Sequence, residues 1–130
     1  MNQAFQDLVT QLNSWADTSG LTDRAIKSCK FALRACSEDD IEVGVLPLKG
    51  WTLDEVKVGF VKHSLVFKHY LQTSPFIDTC IGLFVDDPDG CFQNGEKPIG
   101  RYELISRLDG QIEDDYLIFE ESAPGYDGNL

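Results

Sequence analysis

Basic residues are scarce in this sequence: 11 Lys and Arg stand against 22 Asp and Glu among 130 residues, a formal net charge of −11. Nucleic-acid binding rests on basic groups that neutralise phosphates and release counterions, and anionic membranes attract the same kind of surface, so the shortage argues against both as partners. The deficit is uneven. Residues 1–72 carry 8 basic and 9 acidic residues, a net of −1, whereas residues 73–130 carry 3 and 13, a net of −10. Cations and basic protein surfaces are what such a field attracts.

Long apolar runs are also missing. No segment approaches the roughly 20 apolar residues that cross a bilayer, and the start, Met1 to Asp7, lacks the cationic and apolar stretches of a signal peptide, so a cytoplasmic protein is expected. The four cysteines, Cys29, Cys36, Cys80 and Cys91, form no C-x-x-C pair, which predicts reduced, buried thiols; zinc would require His63 and His69 to join cysteines from distant segments. Neither a phosphate-cradling glycine loop nor a G-x-S-x-G elbow occurs, and on a helix His63 and His69 would point to nearly opposite sides. Paired carboxylates acting as acid and base need a cleft that desolvates one of them, whereas these lie in polar stretches. The expectation is a protein that is not an enzyme.

What is present is globular: 42% apolar and 25% charged residues disfavour disorder, and 130 residues suffice for one core. Phe5, Leu8, Leu12 and Trp15 recur at helical steps and predict a helix over 3–17 that stops near Gly20. After Thr22-Asp23, the steps Ile26, Cys29, Leu33 and Cys36 suit a second helix to about residue 36, though Phe31, Leu33 and Ala35 also alternate; Arg24, Lys27, Lys30 and Arg34 would form its solvated side. Ser37 to Asp40 reads as a polar break, and Ile41 to Leu48 alternates like a strand. From Thr52, Leu53, Val56, Phe60, Ser64, Phe67 and Leu71 predict a third helix, with Val56, Val58 and Phe60 leaving a strand open. Strands follow at 76–85, 102–107 and 111–120, the last two joined by a Leu108-Asp109-Gly110 hairpin turn. The fold class is therefore α+β: an antiparallel sheet with two or three packed helices in a single small domain, 1–121, and a flexible tail, 122–130.

The acidic residues gather in three places. Val85-Asp86-Asp87-Pro88-Asp89-Gly90-Cys91-Phe92-Gln93-Asn94-Gly95-Glu96 overlies the twelve-position EF-hand loop with Asp87, Asp89, Gly90, Phe92 and Glu96 at positions 3, 5, 6, 8 and 12. Position 1 is Val85, Asp86 is one place late, Pro88 interrupts the turn and strands flank it, so an ordinary EF-hand is excluded. A different calcium loop using Asp86, Asp87 and Asp89 remains chemically sound, because calcium takes six to eight oxygens from closely spaced carboxylates and carbonyls. Asp-Pro-Asp-Gly is equally a favourable turn sequence with no ligand at all. Two further clusters, Glu38-Asp39-Asp40 and Glu113-Asp114-Asp115, favour the ionic reading, since neighbouring carboxylates repel and a shared cation removes the repulsion.

With whole-chain length, strong acidity, α+β character and these three clusters, the chain resembles the small acidic calcium-binding proteins of filamentous cyanobacteria that are associated with heterocyst differentiation. The resemblance implies a calcium buffer or sensor and makes a broken EF-hand pattern no objection. The expected ligands are Asp87 and Asp89, then Asp86, Asp39 and Asp40, then Glu113, Asp114 and Glu38, with Ca²⁺ as the cofactor and a monomer as the expected state. The rival reading is an acidic interaction module, an inhibitor, immunity protein or nucleic-acid mimic, that engages a basic partner directly.

Overall fold

The structure, a computed structural model, describes residues 3–44, 47–67, 74–87, 90 and 95–127. Two helices, α1 (Gln3–Ser19) and α2 (Leu21–Glu42), precede a short turn at Pro47–Gly50 and four strands, β1 (Lys57–Val66), β2 (Phe76–Asp86), β3 (Glu96–Arg107) and β4 (Ile112–Phe119). The strands form one antiparallel sheet in the order β1-β2-β3-β4. This is an α+β fold in a single small domain.

Gly20 separates the helices. Its φ of 64° is the left-handed conformation that closes α1, its N–H bonds the Asp17 carbonyl at 3.1 Å, and its own carbonyl accepts the Arg24 N–H at 3.0 Å to open α2. Leu21, Ala25, Cys29, Leu33 and Ser37 then recur every fourth residue and are buried, a stripe whose small members let α2 lie close to the sheet. Opposite it stand Ile81, Leu83 and Val85 of β2 and Ile99, Tyr102 and Leu104 of β3, completed by Leu48 and Trp51 from the turn region. The Trp51 indole N–H donates to the Glu121 carbonyl at 3.1 Å, which ties the chain after β4 to this core.

Three segments differ from the sequence expectation. The polar stretch Ser37–Asp40 does not break α2, which continues to Glu42: Ser37 is buried on the helix stripe, and Asp40 Oδ2 accepts from the Leu48 N–H at 3.4 Å and from Cys36 Sγ at 3.6 Å. The described part of the expected strand over Ile41–Leu48 is not one: Ile41 and Glu42 end the helix, and Leu48 and Lys49 take positive φ values of 54° and 56° in the turn that buries the Leu48 side chain, while Val45 and Leu46 lie outside the described residues. Two positive-φ residues are unfavourable by about 1–2 kcal/mol each and are held by the burial of Leu48 and by the bonds of the Leu48 N–H to Asp40 and of the Lys49 carbonyl to the Ala123 N–H.

The third helix does not form either. Thr52 and Glu55 make a capping box, with Glu55 Oε1 accepting from the Thr52 N–H and Thr52 Oγ1 accepting from the Glu55 N–H, so the helix-start signal is genuine. It lasts one turn. From Lys57 the chain pairs with β2 instead, the β-branched Val58 opposite Leu83 and Val66 opposite Phe76, with a register shift at Val61. Leu71, the far end of the expected helical face, lies outside the described residues. After β4, Ala123 N–H bonds the Lys49 carbonyl at 2.9 Å and Tyr126 packs beside Gly50, so residues to Asp127 of the expected tail lie on the turn.

Candidate functional site

Two of the expected ligands, Asp86 and Asp87, stand where β2 runs into its connection to β3. Asp86 ends β2 and Glu96 opens β3, and the register makes them direct cross-strand partners. Asp87 follows, its N–H bonded to the Gly95 carbonyl at 2.8 Å, and its carbonyl accepts the Gly90 N–H at 3.2 Å, which closes the turn. Like charges directly opposite each other destabilise an antiparallel pair. Lys57 Nζ of β1 lies 2.5 Å from Asp86 Oδ1, and Asp86 first and then Glu96 raise the Lys57 pKa. Both members of that ion pair are well exposed, so water and salt screen it and it adds little to stability. Asp89 lies outside the described residues.

The other two clusters are placed elsewhere and bonded to their own neighbours. Glu38 and Asp39 are exposed on the last turns of α2, and Asp40 is committed to Leu48 and Cys36. Arg107 pairs with Glu113 at 3.5 Å. Asp114 accepts from the Asp115 N–H through Oδ1 and from the Tyr116 hydroxyl through Oδ2, and Asp115 Oδ2 accepts from the Tyr102 hydroxyl at 2.7 Å. Register separates this cluster from the turn: Asp114 aligns through Ile105 with Asp78, eight residues before Asp86 on β2, roughly 27 Å away at the rise of a strand. The expected convergence of distant acidic clusters on one ion is therefore not seen: among the described residues no group of three His, Cys, Asp or Glu side chains is gathered closely enough to hold a metal.

Sequence reasoning passed over a second constellation. On the sheet face opposite the helices, Asp78 and Cys80 of β2, Glu103 of β3 and Lys62 of β1 are neighbours, with Cys80 paired to both Lys62 and Glu103. Asp78 Oδ1 is buried and has no hydrogen-bond partner among the described residues. Burial first, and then Glu103, push the Asp78 carboxyl up to about 6, while Lys62 and Arg101 act against the rise. The readable signal was a lone aspartate inside the apolar run Phe76-Ile77-Asp78-Thr79-Cys80-Ile81.

A raised folded pKa means that the stability linked to Asp78 is fully present below about pH 4, its unfolded value, and is lost as pH rises through about 6. Asp78→Asn, which does not ionise, should therefore match the wild type near pH 4 and exceed it by about 1 kcal/mol above pH 7, the size being discounted because the residue is only half-buried. Urea denaturation at the two pH values measures this. A variant equally or less stable at pH 7.5 would place the unpaired oxygen in contact with a hidden donor.

The described thiols are all held above the ordinary thiol range. Cys29 is pushed up to about 12 by burial, and Cys36 and Cys80 are also raised, chiefly by burial and then by acidic neighbours. Cys91 lies outside the described residues, as does His69. His63 is a structural tie rather than a helix-surface residue, since Nδ1 meets Thr79 Oγ1 at 2.9 Å and Nε2 meets Thr22 Oγ1 at 3.3 Å. Burial lowers its pKa, with Asp17 opposing. Among the described residues no helix is long and apolar enough to cross a membrane. Comparison with known proteins finds no matching family model, no matching curated protein and no matching solved structure.

Proposed function

We propose that this chain binds a divalent cation, calcium, at the β2–β3 turn, and acts as a small non-enzymatic calcium buffer or sensor. The observation that supports the reading is the cross-strand apposition of Asp86 and Glu96 at the mouth of a turn that also carries Asp87. Like charges facing each other across an antiparallel pair would be stabilised by a bound dication, and hard oxygen ligands select calcium over softer metals. Asp89, which lies outside the described residues, is kept in the proposed set from its place in the sequence. Glu38, Asp39 and Asp40, like Glu113 and Asp114, are outside it, which reduces the ligand set to Asp86, Asp87, Asp89 and Glu96.

Calorimetric titration with calcium, with magnesium as competitor, tests this. One site of micromolar-to-millimolar affinity is expected, weakened at least about tenfold by Asp87→Ala, Asp89→Ala or Glu96→Gln, each of which removes a ligand charge. Lys57→Gln should tighten binding, because Lys57 competes for Asp86. Full heat and stoichiometry in the three carboxylate variants, or weaker binding in Lys57→Gln, would remove the site.

A second reading is favoured by a different observation. β4 is an edge strand whose residues Ile112 to Tyr116 are all exposed, three of them acidic, and Glu120 and Glu121 follow. An open edge of this charge suits a basic partner. Salt-sensitive capture of a basic protein in the presence of a calcium chelator would support that reading over the first.

A further inference from the structure

Eight of the eleven basic residues lie before residue 73, and three of them line one groove. Lys30 and Arg34 of α2 and Lys57 of β1 stand around a hollow of about 480 Å³ floored by Leu33, Val56 and Val58. A run of lysines along a helix is ordinarily a solvated side. Here the cations border an apolar floor: Leu33 is buried, and Val56 and Val58 are half-buried. The volume falls within the range of small-molecule sites.

The groove carries more positive than negative charge in a chain whose net charge is −11. Lys30 and Arg34, one helical turn apart, repel each other and make no ion pair with any described residue. Lys57 shares its charge with Asp86, and Asp54 is the one acidic residue on the rim. A single negative head group between Lys30 and Arg34 relieves their repulsion, and the planar guanidinium of Arg34 grips a carboxylate or a phosphate ester with two parallel hydrogen bonds. Asp54 disfavours a large polyanion. The strongly negative β4 side does not reach the groove at physiological ionic strength, where charges are screened over about 8 Å, so contact cations decide what enters.

We propose that this groove binds a small amphipathic organic anion: one carboxylate or phosphate-ester head held by Lys30 and Arg34, with an apolar body lying on Leu33, Val56 and Val58. The proposal does not require the cation site, with which the groove shares Lys57, and is tested without calcium. Octanoate, octyl phosphate, octanol and inorganic phosphate are titrated into the ¹⁵N-labelled protein at about 0.15 M salt with a chelator present.

Octanoate should give saturable shifts centred on Leu33, Val56 and Val58. Arg34→Gln and Lys30→Gln should each weaken it about five- to tenfold, the size of a lost charge-assisted hydrogen bond. Both are exposed helix positions, so the fold is retained and circular dichroism verifies it. Lys27→Gln, one turn from Lys30 but outside the groove, should weaken binding less than either, since it acts only through its field and makes no contact with the head group. Binding of octyl phosphate alongside octanoate assigns the site to any single anionic head, and binding of octanoate alone to a carboxylate. Octanol or inorganic phosphate binding as tightly as octanoate, or an equal loss in Lys27→Gln, would overturn the proposal.

Discussion

Gly100→Ala should destabilise the protein by about 3 kcal/mol or more, lowering the melting temperature by roughly 10 °C, and should loosen β4 before the rest of the sheet. Gly100 pairs with Phe119, and a β-carbon placed on it would run into the Ile118 carbonyl oxygen, well inside contact distance, and meet Phe119 Cα at 3.1 Å. Both obstacles are backbone, so no side-chain rotation relieves them. The chain cannot retreat either, since the Glu120 and Glu121 N–H groups both donate to the Ile99 carbonyl, at 2.8 and 3.1 Å. Gly82→Ala is the informative comparison. Its β-carbon would meet the Phe84 ring at 2.5 Å and Val61 Cγ2 at 3.0 Å, both movable side-chain ends, so about 1–2 kcal/mol is expected. Thermal denaturation ranks the two, and hydrogen exchange locates the damage; a Gly100→Ala protein no less stable than Gly82→Ala would show that β3 and β4 can shift apart.

Most of the architecture was legible because it follows from local pattern. The helical steps of Phe5, Leu8, Leu12 and Trp15 and the stop at Gly20 match α1, and Asp109-Gly110 marks the β3–β4 turn. The errors share a physical source. Thr52 to Glu55 carries a true helix-start signal, but β1 is decided by pairing with β2, a contact between residues twenty or so apart that periodicity within one segment does not register. Ser37–Asp40 looked like a break because its polarity was visible and the bonds made by Asp40 to Leu48 and Cys36 were not.

The candidate site divides along the same line. Acidic content located the β2–β3 turn, and the partial EF-hand alignment had already placed Glu96, yet only register brings Glu96 opposite Asp86. The same register sets Glu113 to Asp115 far from that turn. Asp78 escaped notice because a single buried carboxylate has no motif; its significance lies in the unpartnered oxygen, which is a property of packing. In the groove, the basic helix side was read correctly as a row, but the apolar floor beneath part of it comes from Val56 and Val58, residues first assigned to a helix.

Tyr102 should prove the most costly side chain of the sheet to remove, and the result bears on which carboxylates are available for ligands. Its ring is 0% exposed, lies in register between Ile81 and Leu117, and packs in the core cluster with Ala25 and Cys29 of α2. Tyr102→Ala is expected to destabilise by about 3–5 kcal/mol through the cavity it leaves. Tyr102→Phe keeps the ring and loses the hydroxyl's bonds to Asp115 and Ser28; Asp115 is exposed enough to turn to water, so about 1–2 kcal/mol is expected. Burial first, and then Asp115, hold the Tyr102 phenol well above the ordinary tyrosine range, so the stability it provides is fully present below about pH 10 and is lost as pH rises beyond it. The Phe variant should accordingly lose less stability than the wild type under alkali. A double-mutant cycle with Asp115→Asn should return a coupling of about 1 kcal/mol while leaving calcium heats unchanged, since Asp115 is engaged in holding β3 to β4. No coupling, together with reduced calcium binding in Asp115→Asn, would return the third acidic cluster to the ligand set and move the proposed ion away from the β2–β3 turn.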